Sequence, residues 1–323
     1  IVFYILSKIS SLIPFVSRYK LAIELISVAA ITLGGYLYGG AEYRLKAQEM
    51  AEKVKVAEAE SKKANKDMQK QLEEKTKKIN MRIAMLGAGF IGRFYADALQ
   101  GYRSKDKVVC IYARREETAK KFAADYSCSH WTTEMEEAIA HPEVDVVCIA
   151  LPNNIHEKAV MLCCKHKKAV MTTKPLGRNG EEAKRMLVAV EEAGIFNGYL
   201  EDLVYTPKFI KAHQSVKEGA VGRILWAKSR ETHPGPHSDW FWDIEQAGGG
   251  CILDLGCHCV EISRSYIGKD IKPVEVMCWA DTQVKPIDAE DHAIGLVKYE
   301  NGAIGQFEVS WTFRGGLDQK SVV

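Results

Sequence analysis

The pattern of apolar and polar residues changes character three times along the chain. Residues 25–41 are 17 consecutive uncharged, mostly apolar positions, and residues 1–17 are apolar apart from Lys8. Seventeen residues just reach the length of a bilayer-spanning helix, so residues 1–43 are a candidate transmembrane segment. Residues 42–78 are dense in charge of both signs, and from Arg44 onward they contain no glycine, proline or aromatic residue. That composition predicts a long charged helix over residues 44–80. Leu45, Val54, Met68 and Leu72 keep no heptad, which favours a solvated helix over a coiled coil.

From Met81 the period switches to alternating strands and helices. The apolar run 81–86 ends in Gly87-Ala88-Gly89-Phe90-Ile91-Gly92, after which Ile91, Phe94, Tyr95, Ala98 and Leu99 recur at helical spacing. Further strands are expected at 108–112, 144–151, 169–172 and 196–200. Helices are expected at 116–124, 156–167 and 180–193, with a short one opened by a capping box at Thr133-Glu134-Met135-Glu136. This order predicts an α/β fold over 81–201, a doubly wound parallel sheet whose ligand lies at the carboxyl ends of its strands. Residues 202–323 read differently, as a helix at 207–219 and strands at 224–229, 274–280, 293–299 and 303–313, with a hairpin turn at Asn301-Gly302. The expectation is an α+β domain with a mainly antiparallel sheet, which the chain leaves in mid-pattern.

Charge and cysteine usage narrow the function. Of 44 Lys and Arg against 42 Asp and Glu, residues 1–80 hold 14 against 9, leaving 30 against 33 for residues 81–323. The larger part is mildly acidic, which argues against a nucleic-acid partner. All nine cysteines follow Met81, several inside apolar runs. An odd number so placed points to reduced, buried thiols and a cytoplasmic domain. Cys257-His258-Cys259 lacks a second ligand pair at zinc spacing, so no metal site is expected. Met81 is both a plausible start residue and the first residue of the first strand, so residues 1–80 read as a foreign extension or fusion. A natural membrane tether is the rival reading. In layout this stretch resembles the anchor-plus-helix plan of small phage membrane proteins.

The chemistry starts at the glycine run. In a strand-turn-helix context Gly87 permits the turn, Gly89 admits a pyrophosphate, and Gly92 lets the helix pack on the strand, with Phe90 and Ile91 at the helix N-terminus. At the end of the second strand an NAD-preferring fold carries Asp or Glu for the ribose hydroxyls. Here stand Ala113, Arg114 and Arg115, whose guanidinium groups suit a 2′-phosphate, so NADP is expected over NAD.

Three more stretches complete a pattern: Val144 to Asn153 followed by His156, Thr173-Lys174-Pro175-Leu176, and Gly248 to His258. In order and spacing these motifs resemble the Gfo/Idh/MocA family across 81–323. The resemblance implies a nicotinamide-dependent oxidoreductase that moves hydride between NAD(P) and a hydroxyl carbon of a sugar, cyclitol or related polyol. It implies cofactor contacts for Leu151, Pro152, Asn153, His156 and Lys174. It makes His258 the general acid/base, Asp254 its orienting partner and a ligand for a neighbouring hydroxyl, and Lys174 the stabiliser of alkoxide charge. Four apart, Asp254 and His258 are expected on one helical face. The family's glutamate before the lysine is replaced by Thr173. Family members are frequently oligomers and usually continue for several more strands, so a homodimer or homotetramer and an incomplete second domain are also expected.

The loop Thr232 to Trp242 offers His237, Trp240 and Trp242 for stacking on a sugar ring. Glu201 is a further substrate candidate that can equally pair with Lys208. Two other functions fit the same fold: a non-catalytic dinucleotide-binding sensor, and redox-assisted glycoside cleavage or elimination with retained cofactor.

Overall fold

Strand β1 (Arg82–Leu86) lies at the centre of a six-stranded sheet and feeds two cores with alternate side chains. Ile83 and Met85 pack with Ile111 and Phe122, while Ala84 and Leu86 pack with Ile149, Val160 and Met186. This is a computed structural model, and it describes residues 48, 49, 52, 55, 56, 80–100, 105–313 and 321–322. The candidate membrane segment lies outside the described residues, as does most of the charged stretch, whose five described positions are helical and exposed. No helix among the described residues is long and apolar enough to cross a membrane. The chain from Ile79 onward forms a compact unit of its own.

The sheet has the order β3-β2-β1-β4-β5-β6, with every neighbour parallel. Its other strands are β2 (Lys107–Tyr112), β3 (His130–Thr132), β4 (Val146–Ile149), β5 (Ala169–Thr173) and β6 (Asn197–Leu200). The connecting helices are α1 (Phe90–Leu99), α2 (Glu116–Tyr126), α3 (Met135–Ala140), α4 (His156–Lys165) and α5 (Gly180–Ala193). Strand order reverses between β1 and β4, and the loops after both strands meet at that switch point. The expected box at Thr133 does not form. Glu134 takes the N-cap position of α3 without a side-chain capping bond, and Thr132 Oγ1 accepts the Glu134 amide at 3.0 Å while donating to Glu137 at 2.5 Å.

After α6 (Pro207–Lys217) comes a second sheet of order β11-β7-β10-β9-β8, built from β7 (Trp226–Thr232), β8 (Pro273–Asp281), β9 (His292–Tyr299), β10 (Ile304–Ser310) and β11 (Ser321–Val322). It is mixed, because β7 and β10 run parallel while the other pairs are antiparallel. The physical reason is the long crossover between β7 and β8, which carries α7 (Ile244–Ala247) and α8 (Cys257–Ile267) and brings the chain back in the same direction. Strand β10 ends earlier than the apolar run suggests, because the Trp311 amide turns to Asp291 O at 2.8 Å. Asn301-Gly302 does form the β9–β10 turn, with Gly302 at φ +83°. Every residue of β8 is exposed, Val274, Val276, Met277 and Trp279 among them.

Candidate active site

Gly87 follows β1 at φ +108°, a left-handed conformation, and donates its amide to Tyr112 O at 2.9 Å. A Cβ there would lie 2.2 Å from Ala150 O, and one at Gly92 would lie 2.0 Å from Gly87 O. Both positions are closed by backbone. Gly89 is the opposite, since a Cβ there would meet nothing within 4 Å, and it begins α1 with no side-chain cap. The loop therefore presents an open backbone face and a free helix N-terminus, the features that receive a phosphate.

From this loop a crevice of about 700 Å³ runs between the two sheets. Gly87, Gly89, Phe90, Ile91, Arg114, Arg115, Leu151, Pro152 and Asn153 line it, as do Lys174, Asp254, His237 and Trp240. Sequence reasoning missed Tyr112, Thr118, Ser238 and Phe241, which line it too. Arg114 and Arg115 sit where β2 hands over to α2. Thr173 also faces the crevice, its hydroxyl 2.9 Å from that of Tyr95.

At the far end two residues 80 positions apart are joined. Lys174 Nζ donates to Asp254 Oδ1 at 2.6 Å and to Asp254 O at 2.8 Å. Asp254 Oδ2 accepts the Trp311 indole N–H at 3.1 Å. Burial by itself would lower the lysine's pKa, but the adjacent carboxylate overrides it and holds the ammonium above its ordinary value. Burial would likewise raise the Asp254 carboxyl, and the Lys174 charge with the two side-chain donors outweighs it, so the net shift is downward. The pair stays charged near neutral pH.

His258 has a different partner. Its Nδ1 lies 2.5 Å from Glu201 Oε2, with both side chains buried, while Glu201 Oε1 accepts the Leu203 amide at 3.1 Å. Neither residue lines the crevice. Asp254 belongs to a π-helical turn, Ile252–Gly256, and α8 starts only at Cys257. Asp254 and His258 have different hydrogen-bond partners, Lys174 and Trp311 for the first and Glu201 for the second. Glu201 is thus a partner of His258. The donor atoms of Glu201, Cys257 and His258 lie within 4.8 Å of one another. The 2.5 Å contact is nevertheless a hydrogen bond, since two ligands of one zinc ion stand about 3.3 Å apart.

Two more expectations are corrected. His156 does not reach the crevice, because its ring is fully buried with Nε2 at 2.9 Å from Leu151 O and Nδ1 at 3.1 Å from Pro175 O. It ties together the loops that carry Leu151 and Lys174, and burial depresses its pKa. Trp242 does not line the crevice either, and packs edge-on against Trp311 at 5.8 Å. Its neighbours do the lining: Trp240 stacks on Phe241 at 3.8 Å, and the His237 ring lies 5.4 Å from Phe90 of the glycine loop. Asn153 Nδ2 donates to Ala247 O at 2.8 Å and Arg178 to Glu245 O at 2.6 Å, which pins α7 to the nucleotide-side loops.

Residues 81–198 match the family described as oxidoreductase family, NAD-binding Rossmann fold, and residues 209–323 match the GFO/IDH/MocA C-terminal domain. Levoglucosan dehydrogenase of Pseudarthrobacter phenanthrenivorans is 25% identical over 72% of this chain and 67% of its own length. Myo-inositol 2-dehydrogenase of Thermotoga maritima is 26% identical over 74% of this chain and 71% of its own. Among solved structures, GenD2 from gentamicin A biosynthesis in complex with NAD is similar at a TM-score of 0.69 and 28% identity, covering 76% of this chain and 72% of that one.

Proposed function

Because the chain belongs to the GFO/IDH/MocA family of NAD-binding oxidoreductases, we propose that it interconverts a hydroxyl and a carbonyl carbon of a sugar, cyclitol or related polyol, with NADP preferred over NAD. The observation that carries this reading is the largely buried Lys174–Asp254 pair in a crevice that the open glycine turn also lines. Relatives named for levoglucosan and myo-inositol support the substrate class. In this reading residues 81–201 hold the dinucleotide and residues 202–323 the substrate.

The open backbone at Gly89 and the room in the crevice fit a dinucleotide. Bound there, the cofactor supplies the hydride acceptor or donor. Arg114 and Arg115 pair with no described carboxylate, which leaves both guanidinium groups for a 2′-phosphate. Lys174 is held protonated, so it serves as a donor to the substrate oxygen and stabilises alkoxide charge rather than acting as the base. Asp254 keeps that ammonium in place and accepts from a neighbouring hydroxyl. The carbinol proton is assigned to His258, whose Nδ1 is held by Glu201. Trp240 and Phe241 offer an aromatic face to the apolar side of a sugar ring.

The test is a panel of sugars and cyclitols assayed with each cofactor by nicotinamide absorbance. Turnover of at least one polyol is expected, with a lower KM for NADP than for NAD. Replacing Arg114 and Arg115 by Ala should raise the KM for NADP roughly 10–100-fold and leave that for NAD nearly unchanged. A lower KM for NAD in the wild type refutes the preference. Substrate consumed without net absorbance change points instead to cleavage or elimination with retained cofactor.

A further inference from the structure

We propose that Trp311 is a positioning residue for this reaction: its indole N–H fixes the Asp254 carboxylate on Lys174, and its ring ties that pair to the aromatic loop lining the crevice. The proposal rests on the dehydrogenase reading above. Trp311 is fully buried, directly behind β10. A buried indole N–H needs an acceptor, and it takes Asp254 Oδ2 at 3.1 Å while Oδ1 stays at 2.6 Å from Lys174 Nζ. With a donor on each oxygen, the carboxylate has one orientation. Take one donor away and the group can turn about its last torsion, carrying the ammonium's best acceptor with it.

The indole is itself held from several sides. Its backbone amide donates to Asp291 O at 2.8 Å, and Ser310 Oγ donates to the same carbonyl at 3.2 Å. Phe241 meets the ring edge-on at 6.2 Å and Trp242 at 5.8 Å. Phe241 lines the crevice and stacks on Trp240, so the surface offered to a sugar ring and the carboxylate that orients Lys174 rest against one side chain. A ligand that presses on Trp240 and Phe241 therefore bears on the geometry of the reacting end. Trp242, which does not line the crevice, packs against Trp311 and carries Lys285 Nζ over its ring at 5.9 Å.

Trp311→Phe keeps a buried aromatic ring and removes the N–H together with the pyrrole half of the indole, so the pH profile and the resonance measurement below, which lost volume alone would not move, carry the test. The expected result is a kcat lower by roughly 10–100-fold with KM within about threefold, since hydrogen bonds to charged groups carry that much. The acid limb of the pH profile of kcat/KM should also move to higher pH, because Asp254 loses a donor that favours its ionised form. A second measurement needs no turnover. With ¹⁵N-labelled tryptophan, the indole resonance missing from Trp311→Phe should shift more than those of the other tryptophans when Asp254→Asn is introduced. Wild-type kcat together with an unmoved acid limb in Trp311→Phe overturns the proposal, and so does an indole resonance indifferent to Asp254→Asn. A wild type that turns over no polyol overturns the functional reading instead, and the indole shift then decides the Trp311–Asp254 contact independently.

Discussion

The two ends of the crevice are built from different materials. At the nucleotide end the working parts are backbone: a strand, a left-handed glycine, an open glycine and a helix N-terminus, all within a few consecutive residues. At the reacting end they are side chains, brought from the end of β5, a π-helical turn and the residue behind β10. The difference teaches where each end is fragile. A backbone site fails when a Cβ is added, whereas a side-chain site fails when one charge or donor is taken away.

The largest expected effect follows from Lys174→Met, which removes the donor and leaves Asp254 ionised and buried without a cation. Activity should fall by at least about 10²–10³-fold, and breaking one side of a buried pair costs about 3–5 kcal/mol of stability. The sign with pH follows from Asp254. Its pKa is depressed in the folded wild type, so the pair's stabilisation is present above the unfolded carboxyl's pKa and is lost as pH falls through the folded one. Denaturant titrations should therefore show a gap between variant and wild type that is wide at neutral pH and closes on acidification. A gap independent of pH would mean that Asp254 does not depend on Lys174 for its ionisation.

Gly87→Ala probes the other end and comes next in size. The added Cβ meets Ala150 O at 2.2 Å, and a residue with a side chain must adopt φ +108° or move the turn. Forcing that conformation costs about 1–3 kcal/mol before any overlap is relieved. Because the proposed function puts the phosphates against this turn, dinucleotide affinity should weaken along with stability, with the charged pair undisturbed. Cofactor titration by fluorescence and a thermal melt measure the two effects. Loss of stability without loss of cofactor affinity would separate the turn from the binding site.

The same contrast explains what could be read from sequence. Gly87, Gly89 and Gly92 were legible because their roles are local and require the smallest side chain at fixed spacing, directly behind an apolar strand. Lys174 and Asp254 were legible only through the family motif, since nothing in the spacing of two residues 80 apart announces a contact. Trp311 carried no signal, because a tryptophan after a buried strand reads as core. The pairing of His258 with Glu201 was hidden because the two residues lie 57 positions apart, Glu201 just after β6 and His258 in α8, and no local spacing announces such a contact. His156 misled for a related reason: it sits beside lining residues in sequence, yet its ring is buried between the carbonyls of Leu151 and Pro175. In the second sheet the hairpin was plain from Asn301-Gly302, while the parallel β7–β10 pair depends on a crossover whose return direction the strand pattern does not record.

The smallest effect is expected at Thr173, which stands where the family carries glutamate and lines the crevice directly before Lys174. Its hydroxyl meets that of Tyr95 at 2.9 Å, linking the end of β5 to α1, and burial pushes the Tyr95 phenol up to about 12. Thr173→Val keeps the shape and removes the link, so stability should drop by only about 0.5–1.5 kcal/mol. Because the Thr173 hydroxyl bonds to neither Lys174 nor Asp254, kcat/KM should stay within about threefold of wild type. Chemical denaturation and steady-state kinetics on the same preparation check both statements. If Thr173→Val instead loses activity on the scale of Lys174→Met, the hydroxyl belongs to the reacting end, and the sparse set of groups assigned there is one residue too small.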